Sequence, residues 1–387
     1  MNTDDSEQII KVLLVEDSPT AAQLVAIYLK RGLPQHKVTT VSSVGEAMSE
    51  MRTTQFDIVL LDLNLPDSTG LSTFITVQAH PGDTPVIILS GDGDENLAVE
   101  AVRQGAQDYL VKANFDDAHL SRSIRFALER SRRIHFEQEV SGARAIQQKL
   151  YPLESPDLPE FDIAGAAFAA EHVSGDYFDY IPMSNGRLGI VVGDVSGHGL
   201  GPALLMAETR AYLHALTLNL GSKGQFFETE DLGLVLSRTN QLLLVTPGWM
   251  FVTLFFLCLS PQKKTYTYSS AGHRVLHIAA DGRVMQRSST GPALGIMNDA
   301  DFEMEGPFPI EPGDTIFLGT DGFEESEFNG ELFGVDRVVS TIMEQPQSSS
   351  MDAISQLTTT IEQFRGNAAQ ADDMTAIIIR RKDGKSA

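Results

Sequence analysis

Four short motifs that contain aspartate follow one another through the later part of this sequence. They are SGDYFD at 174–179, GDVSGHG at 193–199, GTDGFEE at 319–325 and ADDMT at 371–375. Carboxylates are the ligands that hard divalent cations such as Mg²⁺ and Mn²⁺ prefer. Two such ions, roughly 3.5–4 Å apart, can bind a phosphate ester and lower the pKa of a water between them. The motifs therefore predict a metal site that could act on a phosphate ester.

Asp194 and Asp321 each stand in a glycine-rich turn that follows a short apolar run. The fourth motif instead precedes such a run. An acidic residue where a buried strand ends in a tight turn suits a metal or a phosphate. We therefore expect paired carboxylates at neighbouring strand ends. Asp179 and Asp373, taken alone, fit a turn or cap residue equally well.

Two rival chemistries have no motif in this sequence. There is no Gly-x-Ser-x-Gly turn for a serine nucleophile and no Gly-x-x-x-x-Gly-Lys-Ser/Thr loop for the phosphates of a nucleotide. The single cysteine, Cys258, lies in an apolar run, where a small buried side chain is expected. Covalent catalysis by serine or cysteine and P-loop nucleotide hydrolysis are therefore excluded.

The elements that precede these motifs begin with an alternation of short apolar runs and helical patterns. The runs lie at 12–15, 38–41, 58–61, 86–89 and 109–111. Strands this uniformly apolar, separated by helices, predict a doubly wound α/β domain with a parallel five-stranded sheet covered on both faces. Polar side chains that act in such a fold gather beyond the carboxyl ends of its strands.

Polar residues stand at the ends of four of these runs. Glu16 and Asp17 close the first run, Asp62 the third, Ser90 the fourth and Lys112 the fifth. Three carboxylates together can hold Mg²⁺, and a lysine with a hydroxyl can bind the oxygens of a transferred phosphoryl group. The pattern predicts a phosphoryl-transfer site at this edge of the sheet.

A long helix is predicted from residue 118 to about 150, a stretch that contains one glycine and no proline. Part of it has a coiled-coil-like apolar spacing. Two interpretations stay open, a solvated connector and a helix through which two copies of the chain dimerise. The apolar positions are Leu120, Ile124, Ala127 and Ile134.

The rest of the chain combines helical patterns with antiparallel signals. The segments 250–259 and 264–270 flank a turn signal at 260–263, a pattern typical of a β-hairpin. Three prolines between 152 and 159 indicate a domain linker before it. Helices are predicted at 202–218, 232–244, 334–343 and 351–364. We expect a domain at 9–120, a helical linker at 121–159 and an α+β domain at 160–383.

The net charge of −23 at pH 7 argues against general binding of nucleic acid, because phosphate contacts need clustered Lys and Arg. The first residues, MNTDDSE, are acidic and polar, unlike a signal peptide. An uncharged stretch at 242–259 is interrupted by Pro247 and Gly248, so two buried elements joined by a turn are expected there instead of a membrane span. We therefore expect a cytoplasmic protein without a nucleic-acid or membrane partner.

Specific motifs surround the strand-end residues of the first segment. They are VEDS at 15–18, LLDLNLP at 60–66 with Gly70, LSG at 89–91 and GAQDYLVK at 105–112. With them the segment resembles the receiver domain of bacterial two-component response regulators. The resemblance implies that Asp62 accepts a phosphoryl group from a sensor histidine kinase. It also implies Mg²⁺ binding by Glu16, Asp17, Asp62 and the Asn64 carbonyl, a switch pair of Ser90 and Tyr109, and Lys112 as the phosphoryl partner.

The last segment adds SAGH at 270–273, TGPALG at 290–295 and ELFG at 331–334 to its four acidic motifs. It resembles the bacterial PP2C-type serine/threonine phosphatases of the stage II sporulation protein E group. The resemblance implies a β-sandwich flanked by helices, with two Mn²⁺ or Mg²⁺ ions between the sheets. It makes Asp194 a ligand that bridges both ions, assisted by the Val195 carbonyl. The further ligands it implies are Asp176, Asp321 and Asp372, with Asp373 next to the last of them.

Two features of the eukaryotic relatives have no secure match. His198 is offset from the position of the histidine that assists departure of the leaving group. Arg274 and Arg210 are the nearest candidates for the arginine that holds the substrate phosphate, and a surface salt bridge is the more ordinary role for both.

Together the two resemblances imply a response regulator in which phosphorylation of Asp62 controls a metal-dependent protein phosphatase. Its substrate would carry phosphoserine or phosphothreonine, and a phosphorylated anti-sigma-factor antagonist or similar regulator is expected. The alternative is a receiver-controlled adaptor whose PP2C-like module binds a partner without catalysis. Loss of ligand acids would mark such a module, and all four are present.

Overall fold

The computed structural model describes residues 9–91, 95–220, 226–228, 231–245, 250–346 and 348–382. These residues form two compact units, divided between Glu139 and Val140. Pro247 and Gly248, expected to form a turn, lie outside the described residues. Within the described ranges, none of the helices combines the length and the apolar character that a membrane crossing requires.

The first unit is built on a parallel sheet of five strands in the order β2-β1-β3-β6-β7. Apolar side chains of this sheet pack against helices on both of its faces. This confirms the doubly wound α/β prediction. The elements are β1 (Ile10–Val15), α1 (Pro19–Gly32), β2 (His36–Val41), α2 (Val44–Thr53), β3 (Ile58–Asp62), β4 (Asn64–Leu65), β5 (Ser68–Thr69), α3 (Leu71–Gln78), β6 (Val86–Ser90), α4 (Glu95–Arg103), β7 (Asp108–Val111) and α5 (Asp117–Gln147), of which the residues from Val140 onward belong to the second unit.

Most of the apolar residues with coiled-coil-like spacing along α5 pack inside the first unit. Leu120, Ile124 and Ala127 are at most 1% exposed and belong to the core of the first unit, with β1, β3 and α1. Their spacing is therefore explained by packing within this unit. Ile134, further along α5, is 41% exposed.

The second unit is a sandwich of two antiparallel five-stranded sheets. One sheet has the order β17-β14-β13-β10-β9 and the other the order β16-β15-β18-β21-β8. The elements are β8 (Phe161–Phe168), β9 (Tyr177–Pro182), β10 (Leu188–Val195), α6 (Leu200–Thr217), β11 (Leu218–Leu220), β12 (Phe226–Glu228), α7 (Leu232–Leu243), β13 (Val252–Ser260), β14 (Thr265–Ala271), β15 (Val275–Ile278), β16 (Val284–Arg287), β17 (Glu305–Pro309), β18 (Thr315–Gly319), β19 (Glu327–Phe328), β20 (Glu331–Leu332), α8 (Gly334–Glu344), α9 (Ser350–Arg365) and β21 (Met374–Arg381).

Both faces of each sheet are buried, which explains the continuous apolar runs of its central strands. Along β10, Ile190 and Val192 point into the core between the sheets, whereas Val191 packs with α6 and α7 on the outer side. Helices α8 and α9 cover the outer face of the other sheet. The result is the predicted β-sandwich flanked by helices.

The predicted hairpin is also present. Strands β13 and β14 pair antiparallel, with Leu257 opposite Tyr268, and a turn at 261–264 joins them. All four helices predicted for this unit are found, and their ends differ from the predicted ones by at most two residues. Cys258 is buried in β13, as expected of a small apolar side chain.

Candidate functional site

The strand-end residues of the first unit meet at one edge of its sheet. Glu16 and Asp17 follow β1, and Asp62 is the last residue of β3, the strand beside it. One ligand atom from each of these three carboxylates lies within 4.8 Å of the others. Glu16 and Asp62 are buried, whereas Asp17 is exposed. Hard oxygen donors in this arrangement fit Mg²⁺.

Lys112, which follows β7, reaches two of these acids. Its Nζ lies 2.5 Å from Oε2 of Glu16 and 2.7 Å from Oδ2 of Asp62. Burial works against its charged form, but the hydrogen bonds to Asp62 and Glu16 outweigh burial and raise the pKa of Lys112. Burial also raises the pKa of Glu16. The ammonium group is thus fixed where a phosphoryl group on Asp62 would need its charge balanced.

The remaining predicted residues of the first unit lie on the strands that end at this edge or just beyond such a strand. The backbone N–H of Asn64 donates to Oδ1 of Asp62 over 3.1 Å. Ser90 is buried at the end of β6, and its carbonyl accepts a 2.8 Å hydrogen bond from the backbone N–H of Lys112. Tyr109 is half-buried on β7. The structure therefore brings the strand-end residues of the predicted phosphoryl-transfer site to one sheet edge.

In the second unit, Asp194 and Asp321 come from different sheets. Asp194 is the penultimate residue of β10, and Asp321 lies just beyond β18. These strands belong to opposite halves of the sandwich, so the expectation of neighbouring strand ends was wrong. Both residues line a single open cleft of about 390 Å³. The carboxylates meet because the two sheets face each other, which a strand pattern alone does not reveal.

The deepest acid of this group is Asp176, which immediately precedes β9 and is 1% exposed. Its Oδ2 accepts a 2.8 Å hydrogen bond from Oγ1 of Thr320. Burial, together with the charge of Asp194, raises the pKa of Asp176 well above its ordinary value. Burial also raises the pKa of Asp194 to about 7, with contributions from the nearby Asp321, Asp372 and Asp373.

The close approach of these carboxylates bears on whether the site fits a metal ion. Asp176 is buried and Asp194 half-buried, and carboxylates gathered in this way repel one another unless cations lie among them. Their hard oxygens suit Mg²⁺ or Mn²⁺. The donor set of Asp176, Asp194, Asp321 and Asp372 therefore fits divalent cations. These acids are spread more widely than those of the first unit. Within the described part of the chain, the first-unit trio is the only group of three whose ligand atoms lie within 4.8 Å of one another.

The structure separates the roles of the adjacent Asp372 and Asp373. Asp372 is exposed, and its Oδ1 accepts a hydrogen bond from the backbone N–H of Asp373. Asp373 is 8% exposed, and both of its oxygens are engaged by backbone N–H groups, those of Ala170 at 2.7 Å and Gly175 at 3.0 Å. Asp373 thus holds the loop in front of Asp176, and Asp372 is the more accessible of the two carboxylates.

Val195, the residue after Asp194, is 1% exposed and ends β10, where it pairs with Val252.

The two arginines that are candidates for holding the substrate phosphate have different surroundings. Arg274 lines the cleft with Asp194 and Asp321, where its guanidinium is paired with Glu324. Arg210 lies on α6, and its Nε is 3.1 Å from Oδ2 of Asp179.

Asp179 is a buried structural acid. Besides Arg210, its Oδ2 is bonded to Tyr177 Oη at 2.9 Å and to His214 Nε2 at 2.7 Å. This network ties α6 to β9, and Arg210 is not among the residues that line the cleft of Asp194 and Asp321. His198 is largely exposed, with its Nδ1 3.3 Å from Oε1 of Glu171.

His273 and His277 are four residues apart, a spacing that can bind zinc on a helix. Here His277 lies on β15 and His273 just before it. Because a strand is extended, residues four positions apart along it are too far apart for both rings to bind one ion. His273 contacts Thr253 Oγ1 at 3.2 Å and the Gly319 carbonyl at 3.0 Å. Nε2 of His277 instead lies 3.0 Å from Oδ2 of Asp314. The two rings therefore serve separate buried networks.

Several residues that shape the site were missed in the sequence. In the sequence, the only indication of a role for Thr320 is its position next to Asp321. Gln147 and Tyr151 precede the first acidic motif by more than twenty residues. The phenol of Tyr151 donates a 2.8 Å hydrogen bond to the carbonyl of Asp176. No periodicity or motif marks these residues, because their role depends on contacts between distant segments.

Two family models match the chain. The model described as stage II sporulation protein E (SpoIIE) matches residues 184–382, and the response regulator receiver domain matches residues 12–125. The first match covers half of the chain, and the second covers most of the first unit.

Two curated proteins are similar to the chain over 63% of its length. Protein IcfG of Synechocystis sp. is 28% identical over 269 residues, which make up 41% of that protein. The phosphoserine phosphatase RsbU of Bacillus subtilis is 25% identical over 246 residues, which make up 70% of that protein. The chain thus spans less than half of the first relative.

Among solved structures, the SiaA-PP2C domain of Pseudomonas aeruginosa covers 65% of this chain and 98% of its own length, with a TM-score of 0.55 and 21% sequence identity. This likeness shows that the second unit has the PP2C fold.

Proposed function

The chain belongs to the stage II sporulation protein E family and joins a receiver domain to a PP2C-type phosphatase domain, and from this we propose that it is a phosphorylation-controlled, metal-dependent protein phosphatase. Its substrate is a protein that carries phosphoserine or phosphothreonine. Phosphorylation of Asp62 by a sensor histidine kinase controls its rate.

The observation that carries the proposal is the convergence of carboxylates from both sheets. Asp194 and Asp321 line one cleft, and burial, together with the charges of Asp321 and Asp372, raises the pKa of Asp194. Asp176 completes the set from the loop before β9. Such a cluster costs folding free energy unless it binds cations, so its presence is best explained by metal binding.

Two Mn²⁺ or Mg²⁺ ions, when bound, would offset phosphoryl charge and lower the pKa of a water in the cleft. The protein's own part is to hold that site. Thr320 fixes the Asp176 carboxylate, and Asp373 holds the preceding loop through Gly175. Arg274 lies at the side of the cleft, where its guanidinium can exchange Glu324 for a substrate phosphate.

The receiver half is supported by the geometry around Asp62. Its Oδ2 is paired with Lys112, and the acids Glu16 and Asp17 beside it supply oxygen ligands for Mg²⁺. Transfer of a phosphoryl group from a kinase phosphohistidine to this carboxylate forms an acyl phosphate and frees the histidine. Ser90 and Tyr109 would then adjust to the added charge.

The identity of the substrate is proposed from relatives. RsbU of Bacillus subtilis is named a phosphoserine phosphatase, and we infer a phosphorylated regulatory protein, such as an anti-sigma-factor antagonist, for this chain. We further propose the segments 9–120, 121–159 and 160–383 as receiver, linker and phosphatase. A homodimer through α5 would use its exposed residues, such as Ile134, because Leu120 and Ile124 belong to the receiver core.

The test is hydrolysis of p-nitrophenyl phosphate and a phosphoserine peptide by the full chain with and without Mn²⁺. We expect Mn²⁺-dependent turnover that Asp194→Asn abolishes. Turnover without added metal, or undiminished turnover in Asp194→Asn, would contradict the proposal. An inactive wild type that still binds a phosphoprotein would favour the adaptor alternative.

Control by the receiver is tested separately with beryllofluoride, which mimics an acyl phosphate. With Mg²⁺ present throughout, we expect the wild-type rate to change when beryllofluoride is added, and the Asp62→Asn rate to stay constant. An unchanged rate and an unchanged oligomeric state in the wild type would refute this half of the proposal while leaving the phosphatase intact.

A further inference from the structure

Gln147, the last residue of α5, is 7% exposed, and its side-chain amide forms two hydrogen bonds with the backbone of a single residue. Its Nε2 donates to the carbonyl of Ser174 over 2.7 Å, and its Oε1 accepts from the backbone N–H of Ser174 over 3.0 Å. A buried amide is costly unless its hydrogen bonds are made, and this one pairs with both backbone groups of Ser174.

The last turns of α5 present a consistent face to this loop. Val140, Ala143 and Gln147 lie three and four residues apart and so share one side of the helix, while Arg144, Ile146 and other neighbours are exposed. Val140 and Ala143 pack with Val173 and Ala203. Gln147 is therefore held in place by apolar contacts one and two turns before it.

The residue that Gln147 holds, Ser174, lies two positions before Asp176, the most buried of the four candidate ligand acids. Oγ of Ser174 accepts a 3.0 Å hydrogen bond from the backbone N–H of Asp176, and Tyr151 donates to the carbonyl of Asp176. The Asp373 carboxylate accepts from Gly175 between them. Three consecutive residues are thus fixed through their backbones, and two of the groups that fix them, Gln147 and Tyr151, come from the end of α5 and the loop after it.

We propose that Gln147 is a positioning residue that sets the place of the Asp176 carboxylate, and with it the affinity of the phosphatase cleft for divalent cations. This inference rests on the proposed function. Residues that orient metal ligands without touching the metal commonly change affinity or activity by about 10- to 100-fold when they are replaced. Gln147 would act in this way through Ser174, at the end of the helix that begins at Asp117.

The test compares Gln147→Met with the wild-type full chain. Methionine has a similar length and fills the same space but makes neither hydrogen bond. We expect the Mn²⁺ concentration for half-maximal hydrolysis to rise about 10-fold or more, and the Mn²⁺ affinity measured by calorimetry to fall by the same factor. At saturating Mn²⁺ the kcat should return close to the wild-type value. The first-unit cation site is unchanged in the variant, so it cancels in the comparison.

Two further variants keep the test sharp. Gln148→Met alters the next residue, which is exposed, and should leave the Mn²⁺ dependence unchanged. Tyr151→Phe removes only the hydroxyl that reaches Asp176 and should shift the Mn²⁺ dependence in the same direction by a smaller factor. If Gln147→Met does not fold, the Mn²⁺ dependence of Tyr151→Phe tests whether the backbone contacts around Asp176 set the cation affinity.

A purely structural role predicts a different result. Activity would then fall at every Mn²⁺ concentration in proportion to the unfolded fraction, with the half-maximal concentration unchanged, and the proposal would be overturned. Wild-type Mn²⁺ dependence in Gln147→Met would overturn it as well. If the wild type itself neither binds Mn²⁺ in the second unit nor hydrolyses phosphate esters, the proposed function fails and this inference fails with it.

Discussion

The hydroxyl of Thr320 donates a 2.8 Å hydrogen bond to Oδ2 of Asp176, although 144 positions separate the two residues. Thr320 follows β18 in one sheet, and Asp176 precedes β9 in the other. The same hydroxyl accepts from the backbone N–H of Thr375, on β21. One hydrogen bond therefore joins the two halves of the sandwich at the most buried of the four candidate ligand acids.

Replacing Thr320 by valine should weaken the phosphatase site. Valine matches threonine in shape but cannot donate to Asp176, and a lost hydrogen bond to a charged group costs about 1.5–3 kcal/mol. We expect Mn²⁺-dependent hydrolysis at limiting Mn²⁺ to fall about tenfold or more. Thr320→Ser keeps the hydroxyl and should retain most of the activity. Equal losses in both variants would assign the effect to packing.

Replacing the two adjacent acids should separate metal binding from loop support. Asp372→Asn should abolish Mn²⁺-dependent hydrolysis with little change in stability, because its side chain is exposed and faces no buried donor besides the neighbouring N–H. Asp373→Asn offers one acceptor to the two backbone donors of Ala170 and Gly175. It should therefore lower the free energy of unfolding by about 1–3 kcal/mol.

The measurement for this pair is urea unfolding followed by fluorescence of the single tryptophan, Trp249, alongside the rate at saturating Mn²⁺. If Asp373→Asn is inactive but as stable as the wild type, while Asp372→Asn is active, the ligand assignment is reversed.

Arg274 should affect binding of the substrate more than turnover. It is the arginine that lines the cleft of Asp194 and Asp321, and a charge-assisted hydrogen bond to a phosphate is worth about 1.5–3 kcal/mol. Arg274→Ala should raise the KM for a phosphoserine peptide about tenfold. Arg283→Ala, which removes an exposed arginine paired with Asp281, is the matched control. A KM that is equal in both variants would exclude Arg274 from phosphate binding.

His273 should make the second unit less stable as the pH falls. Burial lowers its pKa to about 4 from an ordinary 6.5. Between these values the unfolded chain binds a proton that the native chain does not, so this residue's contribution to stability decreases from pH 6.5 towards pH 4. The slope attributable to one such group is about 1.4 kcal/mol per pH unit.

The check is the free energy of unfolding of the wild type and of His273→Gln between pH 7 and pH 5. Asp176 and Asp194 have raised pKa values and act in the opposite direction, but they are present in both proteins. The difference between the two proteins should therefore shrink as the pH falls. Parallel curves would show that His273 does not titrate in this way.

Much of the fold could be predicted because the pattern is local. The apolar runs of the first unit are followed by chemistry-bearing residues, and parallel strands necessarily bring their carboxyl ends to one edge. Glu16, Asp62 and Lys112 were expected together for this reason, and they are together. The hairpin of β13 and β14 and the four flanking helices of the second unit were likewise readable from turn residues and periodicity.

The coiled-coil-like spacing along α5 shows where a periodic pattern is ambiguous. Leu120, Ile124 and Ala127 have the spacing of any helical face that is buried, and the spacing does not say what covers it. In the folded chain that cover is the receiver sheet and α1. Packing against a partner helix and packing against a domain core both require apolar residues at the same helical spacing.

The acidic motifs of this protein predict which residues are candidate cation ligands, because carboxylates are the ligands that hard divalent cations prefer. How those acids come together depends on the packing of two sheets, which brings Asp194 and Asp321 to one cleft from opposite halves of the sandwich. The supporting residues follow the same rule. Gln147, Thr320 and Asp373 act through hydrogen bonds to distant backbone or carboxylate groups, and such pairings exist only once the chain has folded.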